Sequence, residues 1–203
     1  MNIHHASLIL IIVFNLASCT NIRHEYPDNW AQMQVVGLNG SCPNLEGIYE
    51  ERGDAPNGCH VWIEKCRSLS YNLLSGNIGY KEVWDESETP MFPSGSHVEI
   101  QQHVADQIKF LLWDVNGNDK HLIHSEILKK QNGDYTCTDE GIQLKKRSMY
   151  FLWGISNMLG TETRVFSVNE NNELVMHSSL THSGHHTFFP LFGSDDIWVR
   201  FCQ

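Results

Sequence analysis

From Leu45 onward, apolar and polar side chains alternate in short runs punctuated by polar turns, the period-two signature of strands with one buried face. Leu45-Glu46-Gly47-Ile48-Tyr49-Glu50 reads as a first strand, its glycine placed for a close approach or a bend. Val98-Glu99-Ile100-Gln101 alternates cleanly, as does Ile108-Lys109-Phe110 before the continuously apolar Leu111-Leu112-Trp113. Ala105-Asp106 is the expected tight turn between them. Asn116-Gly117-Asn118-Asp119 is the strongest hairpin signal, because Asn and Gly tolerate positive φ, and His121 to Lys130 is the expected return strand. Gln131-Asn132-Gly133-Asp134 marks another turn, and Gly141 to Trp153 alternates at Ile142 and Leu144 before becoming aromatic. Val165-Phe166-Ser167-Val168 and Leu174-Val175-Met176 flank Asn169-Glu170-Asn171-Asn172 as a third hairpin, and Ile197 to Phe201 closes the chain. His60 to Leu74 fits neither period and reads as a strand followed by a short helical turn. Strands joined by short polar turns imply an all-β antiparallel meander. About eight such strands would escape exposed edges by closing into a small barrel or a strongly curved half-barrel.

One apolar run breaks this rhythm. Leu8 to Phe14 is uninterrupted, with the length of a signal-peptide core, well short of the roughly 20 residues of a spanning helix. Leu16-Ala17-Ser18-Cys19 closes it and resembles a bacterial lipobox. The resemblance implies cleavage before Cys19, diacylglycerol on its thiol and a third acyl chain on the freed amine. It divides the chain into a signal peptide (1–18), an acylated cysteine with its tether (19–41) and a folded domain (42–203). Within the tether, Tyr26-Pro27-Asp28-Asn29 and Gly37-Leu38-Asn39-Gly40 are turn-rich, with a short helical turn expected around Trp30 to Val36. Thr20, where an Asp would favour the inner membrane, implies the periplasmic face of the outer membrane of a Gram-negative cell. Each buried methylene contributes about 0.8 kcal/mol and one acyl chain binds reversibly, so three hold essentially permanently.

Composition narrows the partners. The chain has 203 residues and a formal net charge of −10, all of its Lys, Arg, Asp and Glu lying after Cys19. Such an acidic domain is unsuited to nucleic acid or to anionic headgroups. Lys145-Lys146-Arg147 is the longest basic cluster and reads as a solvated strand face. Beyond Cys19 there are Cys42, Cys59, Cys66, Cys137 and Cys202. In an exported domain these should pair, leaving one over. Cys59 with Cys66 is the first expected bridge, and Cys42 has either Cys137 or Cys202 as its partner. No CxxC pair occurs, which argues against a zinc site built from cysteines.

Several short motifs together resemble a diffuse group of uncharacterised proteobacterial lipoproteins. They are Cys42-Pro43 with Leu45-x-Gly47-x-Tyr49, Gly133-Asp134-Tyr135-x-Cys137 with Gly141-x-x-Leu144, and Asn172-Glu173-Leu174-Val175 with Trp198-x-Arg200-Phe201. The pattern is also similar to lipocalin-like barrels, in which an early Gly-x-Trp or Gly-x-Tyr marks the first strand and a late Arg packs across it. Gly47-x-Tyr49 and Arg200 hold those places here. The resemblance implies an aromatic ring under the Arg200 guanidinium.

Catalytic signatures are missing. There is no Gly-x-Ser-x-Gly, no HExxH and no phosphate-cradling glycine loop. Ser94-Gly95-Ser96-His97 has no context that orients a base. Glu50-Glu51 and Asp195-Asp196 are adjacent, so on strands each pair faces apart. The sharpest local feature is His177, His182, His185 and His186, which would hold zinc or copper if a strand and a loop brought three imidazoles together. The plainer reading is an exposed, turn-rich loop from Thr181 to Thr187. His121-x-x-His124 points its rings to opposite faces of a strand. The aromatic residues, Trp113, Trp153, Phe166 and Trp198 among them, should mostly fill the core, the alternative being a pocket for an apolar small molecule. The expectation is therefore a non-enzymatic lipoprotein, structural or ligand-binding. Metal binding through the histidine tract is the alternative, and a minor hydrolase is another.

Overall fold

The computed structural model describes residues 19–22, 25–34, 42–56, 58, 64–74, 96–102, 106–153, 156–186 and 189–203, with the side chains at 19–22, 64–65, 74, 149–158, 185–186 and 189–191 left aside. Its strands are β1 (Cys19–Ile22), β2 (Gly47–Glu50), β3 (His97–Gln101), β4 (Gln107–Asn116), β5 (Asp119–Lys129), β6 (Tyr135–Cys137), β7 (Ile142–Leu144), β8 (Arg147–Trp153), β9 (Ser156–Val168), β10 (Leu174–His186) and β11 (Phe189–Phe201). One short helix, α1 (Leu69–Leu74), follows a 3-10 turn. The strands form two sheets. One runs β2-β3-β4-β5, and the other runs β1-β11-β10-β9-β7-β6 with β8 also on β9. All pairs described are antiparallel except β1 with β11. The expected all-β meander is present. Among the described residues no closed barrel forms, and the arrangement is consistent with the curved half-barrel.

Both sheets contribute to one core. Tyr49, Val98, Ile100, Ile108, Phe110 and Leu112 come from the four-stranded sheet. Ile142, Phe166, Met176, Val199 and Phe201 come from the other, and Leu69 and Leu73 come from α1. The apolar residues expected to alternate inward do so, as at Ile108, Phe110 and Leu112. Gly47 makes the close approach its position suggested, because a Cβ there would meet Gln203 Nε2 at 2.7 Å and the Tyr49 ring at 2.9 Å. Cys42 and Cys137 form a disulfide across a sequence separation of 95, which resolves the choice left open for Cys42. In a chain-entropy account, closing a loop of that size stabilises by about 4 to 5 kcal/mol.

The turn at Asn169–Glu173 sets the register of the largest sheet. Asn172 takes a positive φ of 62°, and its N–H donates to the Asn169 carbonyl at 2.9 Å. Asn169 is fully buried. Its Oδ1 accepts the N–H groups of Asn171 and Glu173, both at 3.0 Å, and its Nδ2 donates to Glu173 Oε2 at 2.7 Å. From this closure Leu174 pairs with Val168, and the ladder continues unbroken to His186 and Ser156.

Three features differ from the sequence reading. The strand expected over Gly141 to Trp153 is two, β7 and β8, because the pairing with β9 shifts by one residue between Gln143–Val165 and Arg147–Glu162. Strands β9, β10 and β11 each run 13 residues, far beyond the short apolar segments that announced them. Their buried face carries Glu162, Arg164 and Ser178, so alternation of hydrophobicity vanishes while the strand continues. The stretch expected as a tether has strand structure at β1 and packed residues beyond it, with Trp30 only 5% exposed and Met33 bridged to Asn169. No helix is described at Trp30–Gln34, and Val35 and Val36 lie outside the described residues. Among those residues, no helix is long and apolar enough to cross a membrane.

Asn169→Ala leaves two turn N–H groups without their acceptor, and the expected cost is about 1 to 3 kcal/mol. A urea midpoint equal to that of the unaltered protein would show that the turn does not depend on this side chain.

Candidate functional site

Beyond the apolar core, the inner face of the large sheet turns charged. Glu162 and Arg164 lie two residues apart on β9, so they share a face, and Ser178 on β10 and Arg147 on β8 stand beside them. Glu162 Oε1 accepts from Ser178 Oγ at 2.8 Å. Its Oε2 meets the guanidinium of Arg147 and lies 3.7 Å from Arg164 Nε. Arg164 Nη1 donates to the Asn72 carbonyl of α1, and the Arg147 guanidinium lies 5.0 Å over the Tyr71 ring. Two guanidiniums thus share one buried carboxylate. Burial brings Arg164 down to about 10, helped by the charge of Arg147 and opposed by Glu162.

The other end of α1 holds a second buried carboxylate. Glu51, just after β2, accepts from Ser68 Oγ, from Ser70 Oγ at 2.6 Å and from the Ser70 N–H at 3.0 Å. Ser68 Oγ in turn accepts the Tyr71 N–H at 3.1 Å. Burial raises the Glu51 carboxyl above its ordinary value, against the lowering effect of the two serines. Helix α1 is therefore pinned by polar contacts to the end of β2 and to the interior of β9. Chemically, the cluster holds charge in place: the hydrogen bonds and ion pairs of Glu51 and Glu162 run to Ser68, Ser70, Ser178 and the two arginines.

The outer face of the same sheet carries an aromatic layer. His177 stacks on Trp198 with ring centroids 4.1 Å apart and lies 3.6 Å from Asp196. Burial lowers the His177 pKa, opposed by Asp196. Tyr26 meets Trp30 and Trp198 edge-on at 5.8 and 5.2 Å. The Arg200 guanidinium lies 5.0 Å over the Trp30 ring and within ion-pair reach of Asp54 and Glu173, at 3.3 and 3.6 Å. An aromatic ring under Arg200 was expected, but that ring belongs to Trp30, whereas the Tyr49 hydroxyl donates to the Leu45 carbonyl.

The histidine tract is a strand, not the expected loop. β10 carries it through His186, paired on one side with β9 and on the other with β11. His177 and His182, five residues apart on a strand, face opposite sides and are about 16 Å apart along it. His185 is eight residues from His177, about 26 Å at the strand rise. The strand thus spreads the tract out rather than gathering it. The side chains of His185 and His186 lie outside those described, and among the described residues no group of three His, Cys, Asp or Glu side chains could hold a metal.

Of the cysteines, Cys42 and Cys137 are bridged and Cys202 is free, with its thiol 3.8 Å from Glu173. Cys66 is disulfide-bonded, and Cys59, its expected partner, lies outside the described residues. Cys19 opens β1 opposite Phe192. Sequence reading misses Ser68, Glu162 and Arg164, sets Glu51 aside as half of a pair facing apart, and takes Arg147 for part of a solvated strand face, which its ion pair with buried Glu162 corrects. Glu162-x-Arg164 has the period of a shared strand face, but only the register makes that face internal.

Replacing Glu162 by Gln removes the carboxylate that the Arg147 and Arg164 guanidiniums share, with an expected loss of about 3 to 5 kcal/mol. A loss within about 0.5 kcal/mol of zero in chemical denaturation would mean the cluster is solvated. Glu51 gives a pH signature. A raised carboxyl binds its proton more tightly folded than unfolded, so stability falls as pH rises from the ordinary carboxylate range through the folded value. Glu51→Gln should remove that fall, so the stability of the variant relative to the unaltered protein should rise as pH rises. Parallel stability–pH curves would exclude it. The chain matches no known protein family, no curated protein and no solved structure, so the chemistry rests on these residues.

Proposed function

We propose that this is an exported lipoprotein, anchored through acylated Cys19 to the periplasmic face of the outer membrane, whose β domain acts by binding or scaffolding rather than by catalysis. The observation that carries the reading is the Cys42–Cys137 disulfide, in a chain whose Leu16-Ala17-Ser18-Cys19 follows a signal-length apolar run. Disulfides persist in oxidising compartments such as the periplasm, where the apolar run and the cysteine would send the chain. A non-catalytic role is supported by the engagement of the buried carboxylates with neighbouring side chains, whereas a general acid or base has to reach a substrate.

The test is mass spectrometry of the full chain produced in a Gram-negative host and extracted from its membranes. The expected N-terminal peptide begins at Cys19 and carries the mass of acyl chains, and Cys19→Ser abolishes incorporation of labelled palmitate. An unmodified Cys19, or recovery of the protein from the cytoplasm, overturns the anchor. Native spectra of the same sample read the binding role directly, as a retained small-molecule or metal adduct.

A further inference from the structure

The long strands that bury the charged cluster also bring two apolar side chains to the surface on their opposite face, Leu159 lying three residues from Glu162 along β9. Leu159 on β9 is 56% exposed and Phe192 on β11 is 54% exposed, the two most exposed large hydrophobics among the described residues. They occupy one row of the sheet, since Ser183 of β10 pairs with Leu159 on one side and with Phe192 on the other. Ser183 is an odd number of residues from Ser178 and Leu180, which are buried inward, so this row opens on the outer face. The row then continues to Cys19, which stands opposite Phe192 in the parallel β1–β11 ladder.

We propose that this end of the outer face, marked by Leu159 and Phe192, is the surface with which the domain rests on the lipid bilayer. The inference deepens the anchoring reading and rests on acylation of Cys19. Cys19 is itself the first residue of β1, so no slack separates the acyl chains from the ladder. Phe192 is one strand away, about 5 Å, and Leu159 is three strands away, about 14 Å. Side chains held that close to an anchored residue meet the headgroup and acyl boundary, where apolar groups are favoured. The attraction is apolar, because a chain of net charge −10 is repelled by anionic headgroups. The other sheet supplies an internal comparison. Leu122 and Ile127 on β5 are each 48% exposed, but nothing in the register ties that strand to Cys19.

The experiment uses the full chain from a Gram-negative host, reconstituted in vesicles of phosphatidylcholine and phosphatidylethanolamine that contain a diazirine-labelled phosphatidylcholine. After irradiation, lipid adducts are mapped by mass spectrometry. Adducts on Ser156–Thr161 and Phe189–Ser194 should exceed those on β5 by about fivefold or more, as expected for side chains at the acyl boundary. The double variant Leu159→Ser, Phe192→Ser should lose those adducts at an unchanged melting midpoint, because both side chains are exposed. Equal labelling of β5, or no labelling on β9 and β11, overturns the proposal. The mass of the Cys19 peptide is read in the same sample. An acylated Cys19 without adducts on β9 and β11 ends this inference alone, whereas an unmodified Cys19 ends both it and the anchoring reading.

Discussion

The register set at Asn169 is the constraint on which the rest of the large sheet depends. In a strand the side-chain period is two, so slipping the β9–β10 pairing by one residue would send every inward side chain outward. With Leu174 opposite Val168, Met176, Ser178 and Leu180 point to the core and His177 points away from it. The same choice places Glu162 and Arg164 inside. The turn achieves this with one side chain that satisfies two backbone donors and ties them to Glu173. It also reaches outward: Gln34 donates to the Asn169 carbonyl at 2.8 Å, and Glu170 donates its N–H to the Gln32 carbonyl at 2.8 Å. The segment before the domain is thus fastened to the point where the register is decided.

Given that register, the buried charges become necessary to one another. A guanidinium in a low-dielectric interior is costly unless paired, and pairing here requires β8, β9, β10 and α1 to be in place together. Arg147 and Arg164 converge on Glu162, and Arg164 extends to the Asn72 carbonyl. Through Ser68 and Ser70, the same helix meets Glu51 at the end of β2. The polar layer therefore joins the two sheets where apolar packing between them gives out. It specifies how α1 docks more than it adds net stability, because desolvation offsets much of the Coulombic gain.

How far the sequence reveals this structure depends on the polarity of each buried face. β3, β4 and the turn at Asn116 are legible because their inward residues are apolar and Gly117 sits at a φ of 63°. The third hairpin is legible at its turn and for the apolar residues beside it. Past Arg164 and Ser178 the inward positions mix polar with apolar, Glu162 standing opposite Leu180, so hydrophobicity loses its period and the strands run on unannounced. The histidine tract is misread for the same reason. His182 belongs to a strand whose neighbours on both sides are also strands, a fact carried by pairing and not by composition. The ring beneath Arg200 was hidden differently. Trp30 lies 170 residues away in sequence, in a segment whose own composition reads as a turn-rich tether.

That distant contact bears on how the domain relates to its N-terminal segment. Trp30 is buried beneath Arg200, Tyr26 touches both Trp30 and Trp198, and Trp198 stacks on His177. A free tether would let the domain turn in any direction above a membrane. A segment held by aromatic packing, two backbone hydrogen bonds to the Asn169 turn region and a strand at Cys19–Ile22 cannot swivel without losing those contacts. Ordering it costs roughly 1 to 2 kcal/mol per residue in backbone entropy, which the burial of Trp30 and its contacts must offset. Such expenditure has a physical consequence only if orientation matters. An anchor at Cys19 joined to a docked segment would present one face of the large sheet to the bilayer and hold the four-stranded sheet in a fixed attitude to it.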